Sequence, residues 1–409
     1  MSYLNSRGKI LKHHLDMRMR ALPMQALLAA QFLSALADNI LLIAAIALVK
    51  LVGQTDQISW VQSGFLLPYV LLAPWAGTLA DALPKGKVLL LGNGIKLAGV
   101  LMMMSGMSPV LAYLVAGMGA TLYSPAKYGI LSQFFPVDRL VRANALLEGS
   151  TIVAILLGVV AGGWLADQSP LLAMQVTAAA YGFAMLINFL IPRLQPSVRD
   201  ALRWHEWRVL ARFGTYLRRL WRDPAARVSM LGTSLFWGCG ATLRLMLFVW
   251  VPLALHRMDN QTPANLMGAL SVGIVAGSAL AWRYIHLDRI ERAFAAGLVI
   301  GPCIMLLAAQ HSLPATYGLM FILGMAGGAF VVPLNAWLQE RGQAGIGAGQ
   351  ALSIQNLFEN AAMLLLVSGW GLVSHMPVGQ VIPAFGVLML LGVAGLAAVA
   401  RNASQRNDA

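Results

Sequence analysis

Charged residues are scarce in this sequence. They make up 11% of its 409 positions, while 58% are hydrophobic; soluble proteins carry roughly 25% charged residues. This shortage excludes an ordinary soluble globular protein. The hydrophobic stretches are long and continuous rather than alternating segments of about ten residues, which excludes a transmembrane β-barrel. The sequence therefore predicts an all-α membrane protein that crosses the bilayer several times.

Signatures of an enzyme are also missing. There is no G-x-x-x-x-G-K-[ST] phosphate loop, no H-x-x-x-x-D acyltransferase pattern and no His/Cys cluster with zinc-site spacing. The two cysteines, Cys239 and Cys303, lie far apart in apolar stretches and indicate small core residues. We expect no enzymatic activity, no ATP-driven pump, no cofactor and no metal.

Twelve apolar stretches are long enough to cross a membrane, since about 20 residues at about 1.5 Å rise span the hydrocarbon core. They cover residues 23–52, 58–80, 88–106, 109–134, 143–166, 171–191, 229–255, 266–285, 290–309, 314–338, 348–374 and 381–400. We expect the first to be a retained helix rather than a signal peptide, because it is long and no A-x-A cleavage site follows a short apolar region.

The polar segment 193–228 separates six spans from six. We therefore expect two pseudo-symmetric six-helix bundles, at 23–192 and 229–400, with an N-terminal arm at 1–22 and a tail at 401–409. The segment between the bundles is rich in Arg and Trp. That pattern is typical of an amphipathic helix on the cytoplasmic leaflet; the alternative is a solvated linker whose positive charge only fixes orientation.

The net charge of +13 would suggest a nucleic-acid partner in a soluble protein. Most of the 29 Lys and Arg residues, however, lie in the arm, the central segment and the other loops that share one face with both termini. The opposite face holds only Lys50 and Arg257. The positive-inside rule therefore predicts cytoplasmic termini, no nucleic-acid partner and attraction to anionic membrane lipids.

A short internal sequence repeat relates the two bundles. Residues 125–128 (Pro-Ala-Lys-Tyr) near the end of the fourth span match residues 333–336 (Pro-Leu-Asn-Ala) in the tenth, and both are followed by a turn and a similar start of the next span. Two related six-helix halves follow the parallel-repeat plan of the major facilitator superfamily.

The loop after the second span strengthens this resemblance. Gly77, Asp81, Lys85 and Lys87 are similar to the cytoplasmic G-x-x-x-D signature of that superfamily, followed by basic residues. Ala82 departs from the pattern, because a basic residue is usual there.

Small residues recur four positions apart, which indicates close helix packing. The pairs are Gly158/Gly162, Gly273/Gly277 and Gly324/Gly328. In the superfamily, spans five and eight face each other across the two halves, so the resemblance implies that smooth glycine faces there let the halves slide or part.

A few ionisable side chains lie inside the apolar spans, where each costs at least about 2.5–3.5 kcal/mol on insertion scales. In the first span Gln31, Ser34 and Asp38 share one helix face, with Asn39 beside them. Such a stripe should face the bundle interior. We favour a function for Asp38 over a purely structural hydrogen bond to another helix.

Two cations occupy the fourth and seventh spans. Arg244 lies too deep to reach the headgroups, so it is a candidate for holding a phosphate through paired guanidinium hydrogen bonds; the alternative is a salt bridge to Asp38. Lys127, next to Tyr128, either faces the interior or snorkels to the headgroups.

The eleventh span carries Glu359 and Asn360, for which function and structure stay equally open. Further polar residues are expected in interior networks or gates. They are Gln31, Ser34, Asp81, Lys96, Glu148, Asn335, Gln339, Glu340 and Gln355.

Five segments carry a more specific resemblance: 31–39, 123–131, 232–244, 333–342 and 355–360. They resemble the bacterial lysophospholipid transporters of the major facilitator superfamily, whereas the N-terminal arm and the linker look divergent. The resemblance implies a flippase that moves lysophosphatidylethanolamine and lysophosphatidylglycerol from the outer to the inner leaflet of the bacterial inner membrane. A cytoplasmic acyltransferase–acyl carrier protein synthetase then re-acylates them.

The chemistry of the residues agrees with the resemblance. A cationic side chain can bind the headgroup phosphate, and an acidic side chain can bind the ethanolamine amine. We expect a monomer that alternates access and opens sideways for the acyl tail. The expected substrate-binding residues are Asp38, Asn39, Lys127, Tyr128, Arg244, Glu359 and Asn360.

Two other functions stay open. One is a facilitator of a soluble drug or organic anion, coupled to protons through Asp38 or Glu359. The other is a membrane scaffold for the acyltransferase that transports nothing.

Overall fold

The computed structural model describes residues 2–72, 75–76, 79, 83–134, 137–191, 207–285, 289–345 and 348–407. Within them the chain forms thirteen α-helices. These are α1 Ser2–Leu51, α2 Ile58–Leu71, α3 Lys85–Met104, α4 Pro109–Phe134, α5 Val137–Gln168, α6 Pro170–Asn188, α7 Trp207–Arg222, α8 Pro224–Leu255, α9 Gln261–Tyr284, α10 Glu291–Ala308, α11 Leu313–Gly345, α12 Ala348–Leu372 and α13 Val378–Asn407.

Each predicted span overlaps one helix, and α7 is the additional helix; α1 begins before its span, at Ser2, and α13 continues past its span to Asn407. Nine of the described helices are long and apolar enough to cross a membrane. The others are α7, the 14-residue α2, α4 and α12. The prediction of an all-helical, multi-pass membrane protein is confirmed.

Short polar caps allow consecutive helices to follow each other with little connecting chain. Ser169 alone separates α5 from α6, and its hydroxyl accepts the Leu172 N–H at 3.5 Å. Asp223 alone separates α7 from α8, and its carboxylate accepts the Ala225 N–H at 2.9 Å. A proline follows each cap, where its missing N–H costs no helical hydrogen bond.

The helices pack as two groups. Helices α1–α6 contact one another, and so do α8–α13. Between the groups, α2 packs against α12 and α8, and α5 packs against α9. The internal repeat relates α2 to α9 and α5 to α12. The α2/α12 and α5/α9 contacts are therefore two related seams between the groups.

The glycine pairs pack helices within one group. A Cβ at Gly158 would lie 2.6 Å from the Leu36 carbonyl oxygen of α1, and one at Gly273 would lie 3.0 Å from the Met325 nitrogen of α11. Gly324 faces α9 in return. Close packing is therefore confirmed, while the expectation that these glycines let the halves slide is wrong, because they face neighbours in their own half.

Different glycines lie at the α5/α9 seam between the groups. A Cβ at Gly163 would lie 2.7 Å from the Ala264 Cβ, and one at Gly268 would lie 3.3 Å from a Val160 methyl group. The two seam helices therefore touch nearly backbone to backbone.

Helix α7 lies on the second group. Its apolar residues, among them Tyr216 and Leu220, pack against the ends of α8, α11 and α12. The Trp221 ring stacks on Phe358 with centroids 5.5 Å apart. Arg218, Arg219 and Arg222 are exposed. The central segment thus forms an amphipathic helix over its second part, while its residues 193–206 lie outside the described residues.

Candidate functional site

An ion pair lies in the middle of the first helix group. The Lys96 Nζ of α3 is 2.7 Å from the Asp38 Oδ2 of α1. The Lys96 side chain is only 2% exposed and that of Asp38 is 22% exposed. The alternative that Asp38 bridges to Arg244 is wrong in this structure, since Lys96 takes that place and no ion pair joins Asp38 to Arg244 among the described residues.

Hydrogen bonds complete the surroundings of this pair. The Tyr181 hydroxyl donates to Asp38 Oδ1 at 2.6 Å, so both carboxylate oxygens are engaged. Lys96 also donates to the Ser34 hydroxyl at 3.0 Å, which in turn donates to Asn93 Oδ1 at 2.7 Å. The Lys96 Nζ lies 4.9 Å from the centre of the Tyr123 ring, where a cation–π contact adds to its stabilisation.

Two further residues of the predicted polar stripe make simpler contacts. Gln31 donates to the Thr151 hydroxyl of α5 at 3.1 Å, and its Oε1 is buried without a partner. Asn39 donates to the Ala35 carbonyl oxygen of its own helix at 2.8 Å. The stripe therefore faces the bundle interior, as predicted.

Arg244 points across the boundary between the two groups. Its Nη2 donates to the Gln62 Oε1 of α2 at 3.2 Å. Its Nε is buried and has no hydrogen-bond partner among the described residues. Among the described residues Arg244 pairs with no carboxylate. The guanidinium thus keeps a donor for an anion, and anions are the preferred partners of such a group.

The second group contains a polar cluster centred on Gln355. Gln355 Nε2 lies 2.8 Å from Glu359 Oε1, 2.6 Å from Asn335 Oδ1 and 3.1 Å from the Thr233 hydroxyl. This cluster joins α8, α11 and α12. In the described part of the chain no Lys or Arg lies within ion-pairing distance of Glu359.

The other residues predicted for the site differ in their exposure and in whether the structure describes their side chains. Lys127 is 9% exposed, which favours the interior position over snorkelling. Asn360 donates to the Asn356 carbonyl oxygen of its own helix at 2.7 Å, and Glu340 is exposed. Asp81 lies outside the described residues. The same holds for the side chains of Tyr128, Glu148 and Gln339.

A second set of contacts closes one end of the boundary between the groups. The Asp167 carboxylate, at the end of α5, accepts the backbone N–H groups of Asn260 and Gln261 at 2.6 and 2.9 Å. These N–H groups belong to the N-cap residue and the first residue of α9, so Asp167 caps a helix of the other group, where an anion is favoured. Lys50 Nζ donates to Asn260 Oδ1 at 2.9 Å.

The seam between α2 and α12 is closed at the same end. The Ser63 and Ser368 hydroxyls are 2.9 Å apart. Because α1 and α5 end here while α2 and α9 begin here, these contacts lie on the face opposite the N-terminus. Sequence reasoning predicted neither this set nor Tyr181 and Gln62, because charged side chains at span ends are ordinary and uncharged side chains in apolar spans give no strong signal.

The described residues include no group of three His, Cys, Asp or Glu side chains placed to hold a metal ion. Among the described residues the arrangement offers instead an ion pair in one group, an acid with no cationic partner in the other, and a guanidinium with one unbonded donor between them.

Comparisons with known proteins agree with this architecture. Residues 27–367 match the family model described as Major Facilitator Superfamily. The chain is 46% identical over 359 residues to the lysophospholipid transporter LplT of Pectobacterium carotovorum subsp. carotovorum (strain PC1), covering 88% of each chain. It is 46% identical over 354 residues to the protein of the same name from Yersinia pestis (strain Pestoides F), covering 86% of each.

Solved structures share the fold. The nucleoside transporter NupG superimposes with a TM-score of 0.70 at 13% identity, covering 92% of this chain and 99% of the other. A bacterial homologue of the human lysosomal transporter Spinster gives a TM-score of 0.67 at 15% identity, covering 93% and 94%.

Proposed function

Because this chain belongs to the Major Facilitator Superfamily, and within it to the family of the lysophospholipid transporter LplT, we propose that it moves lysophospholipids across the bacterial inner membrane. The observation that carries this proposal is the 46% identity over 88% of both chains. The chain is a transporter and not an enzyme.

The proposed substrates are lysophosphatidylethanolamine and lysophosphatidylglycerol, taken from the outer to the inner leaflet. A cytoplasmic acyltransferase–acyl carrier protein synthetase would then re-acylate them. The protein works as a monomer with both termini in the cytoplasm, and its two transport units are the bundles at 23–192 and 229–400.

The phosphate is common to both headgroups, and Arg244 is the proposed ligand for it. The support is its buried Nε without a partner, together with the absence of a paired carboxylate among the described residues. An ionised acceptor makes roughly twice as strong a hydrogen bond to a guanidinium as a neutral acceptor does. Lys127 with Tyr128 contributes from the first bundle, and Glu359 with Asn360 shapes the second half of the pocket.

The amine of the ethanolamine headgroup is proposed to meet Asp38 and Asn39. Lys96 and Tyr181 each donate to one carboxylate oxygen of Asp38 in this structure, and a carboxylate can accept further hydrogen bonds, so the substrate ammonium either joins the Lys96 ammonium at this carboxylate or takes its place. A glycerol headgroup has no amine, so the ion pair stays intact when lysophosphatidylglycerol binds.

Transport follows from rocking of the two bundles. On the face opposite the N-terminus, the Asp167 cap, the Lys50 bond and the Ser63–Ser368 pair hold the bundles together. These contacts break when that face opens. The acyl tail remains in lipid and passes along the α2/α12 or α5/α9 seam, so the headgroup alone enters the polar interior.

Reconstitution of the purified protein in liposomes tests the proposal. We expect inward movement of labelled lysophosphatidylethanolamine and none of a soluble organic anion. If only the soluble anion moves, and only with a proton gradient, the protein is instead the proton-coupled facilitator. Glu359 would then be the residue that carries the proton. Movement of neither would identify a scaffold.

A further inference from the structure

Gln62 is the residue through which the first bundle reaches the proposed phosphate ligand. It lies on α2, the residue is 5% exposed, and its Oε1 accepts the hydrogen bond from Arg244 Nη2 at 3.2 Å. Arg244 belongs to α8, so this bond joins the two bundles. Gln62 is next to Ser63 in the sequence, and Ser63 contacts Ser368 across the same boundary.

A buried guanidinium needs an acceptor, because an unsatisfied charged donor carries a large desolvation penalty. The amide oxygen of Gln62 supplies that acceptor without a charge. A phosphate oxygen is a stronger acceptor because it is ionised. A glutamate at this position would instead form a buried ion pair with Arg244 and compete strongly with an incoming anion.

We propose that Gln62 is a positioning residue that holds Arg244 while no substrate is bound and yields it to the headgroup phosphate. The inference rests on the proposed function. It adds that an uncharged residue of the first bundle competes with the substrate phosphate for the Arg244 guanidinium of the second bundle. Phosphate binding then removes one bond between α2 and α8, so occupancy of the site weakens the contact between the bundles.

Two substitutions have opposite expected effects. Gln62→Leu removes the competing acceptor at similar volume, so purified protein in nanodiscs binds fluorescent lysophosphatidylglycerol about tenfold more tightly, as expected for one hydrogen bond to a charged group. Gln62→Glu introduces an ionised competitor, so the same measurement gives binding at least about tenfold weaker.

Three controls isolate the bond to Arg244. Gln310→Leu makes the same replacement at a side chain that donates to the Leu306 carbonyl oxygen at the end of α10, outside the site, so the affinity of this variant equals that of the wild type. In an Arg244→Gln background, the two Gln62 substitutions no longer move the affinity in opposite directions. A labelled monoacylglycerol, which has no phosphate, binds all Gln62 variants equally.

Affinity that is unchanged, or that moves in the same direction in both variants while the wild type binds the lipid, overturns the role of Gln62. If Gln62→Glu does not fold, Gln62→Leu decides alone, since a purely structural role predicts weaker rather than tighter binding. A wild-type protein that binds no lysophospholipid overturns the proposed function itself, and this inference with it.

Discussion

Replacing Lys96 by Met tests whether the buried ion pair organises the first bundle. The substitution keeps the length of the side chain and removes its charge. Asp38 then retains only the Tyr181 hydrogen bond to its carboxylate, while 22% of its side chain is exposed. Removing one partner of a buried ion pair costs about 3–5 kcal/mol, so we expect Lys96→Met to lower the free energy of unfolding by that amount.

The reverse change has a similar effect. Asp38→Asn leaves the Lys96 ammonium, 2% exposed, beside two uncharged acceptors, the Ser34 hydroxyl and the new amide oxygen, in place of the carboxylate. The double variant contains no unpaired charge, so it should be more stable than either single variant. The coupling energy of the double-mutant cycle should reach about 3 kcal/mol.

The assay is chemical unfolding of the purified variants in detergent micelles. Lys87→Met, on the exposed side of the same helix α3, is the matched control and should change stability by no more than about 0.5 kcal/mol. Additive effects of the Asp38 and Lys96 substitutions would refute the reasoning. Coupling of Asp38 to Arg244 rather than to Lys96 would refute the ion pair found in the structure.

Three further outcomes can be measured. Tyr181→Phe removes the hydroxyl that donates to Asp38 and should lower the free energy of unfolding by about 1.5–3 kcal/mol; no change would show that water replaces the hydroxyl. Asp167→Asn weakens the cap between the bundles, so thiol labelling of cysteines placed in this boundary should accelerate, and unchanged labelling contradicts a closing role. Gly277→Ala places a methyl group against the Met325 backbone and should destabilise by at least about 1–3 kcal/mol, whereas Gly318→Ala, which meets open space, should be nearly neutral; equal effects would contradict the packing account.

The sequence was sufficient to predict the helical spans, because long apolar runs have few other structures available in a bilayer. It also predicted that Asp38 and Lys96 lie in the interior, since charge inside a span is costly unless it faces the protein. The Gly158 and Gly273 spacing correctly predicted close packing.

The sequence did not predict which partners these residues meet. The sequence allows Asp38 to pair with Arg244, but Lys96 on α3 takes that place, because the partner depends on how the helices rotate and pack in three dimensions. For the same reason the glycine spacing does not show whether Gly158 and Gly273 face the other bundle or their own. No sequence signal marks Gln62 or Tyr181, because a neutral polar residue in an apolar span costs little free energy and is common there.

The central claim is that Arg244 binds the phosphate of a lysophospholipid between the two bundles. Its most direct test compares lysophosphatidylethanolamine movement in liposomes containing wild type, Arg244→Ala or Arg257→Ala, the last being an exposed arginine outside the helices. The account predicts that Arg244→Ala abolishes movement while folding normally, and that Arg257→Ala transports like the wild type. Transport by well-folded Arg244→Ala at the wild-type rate would contradict it.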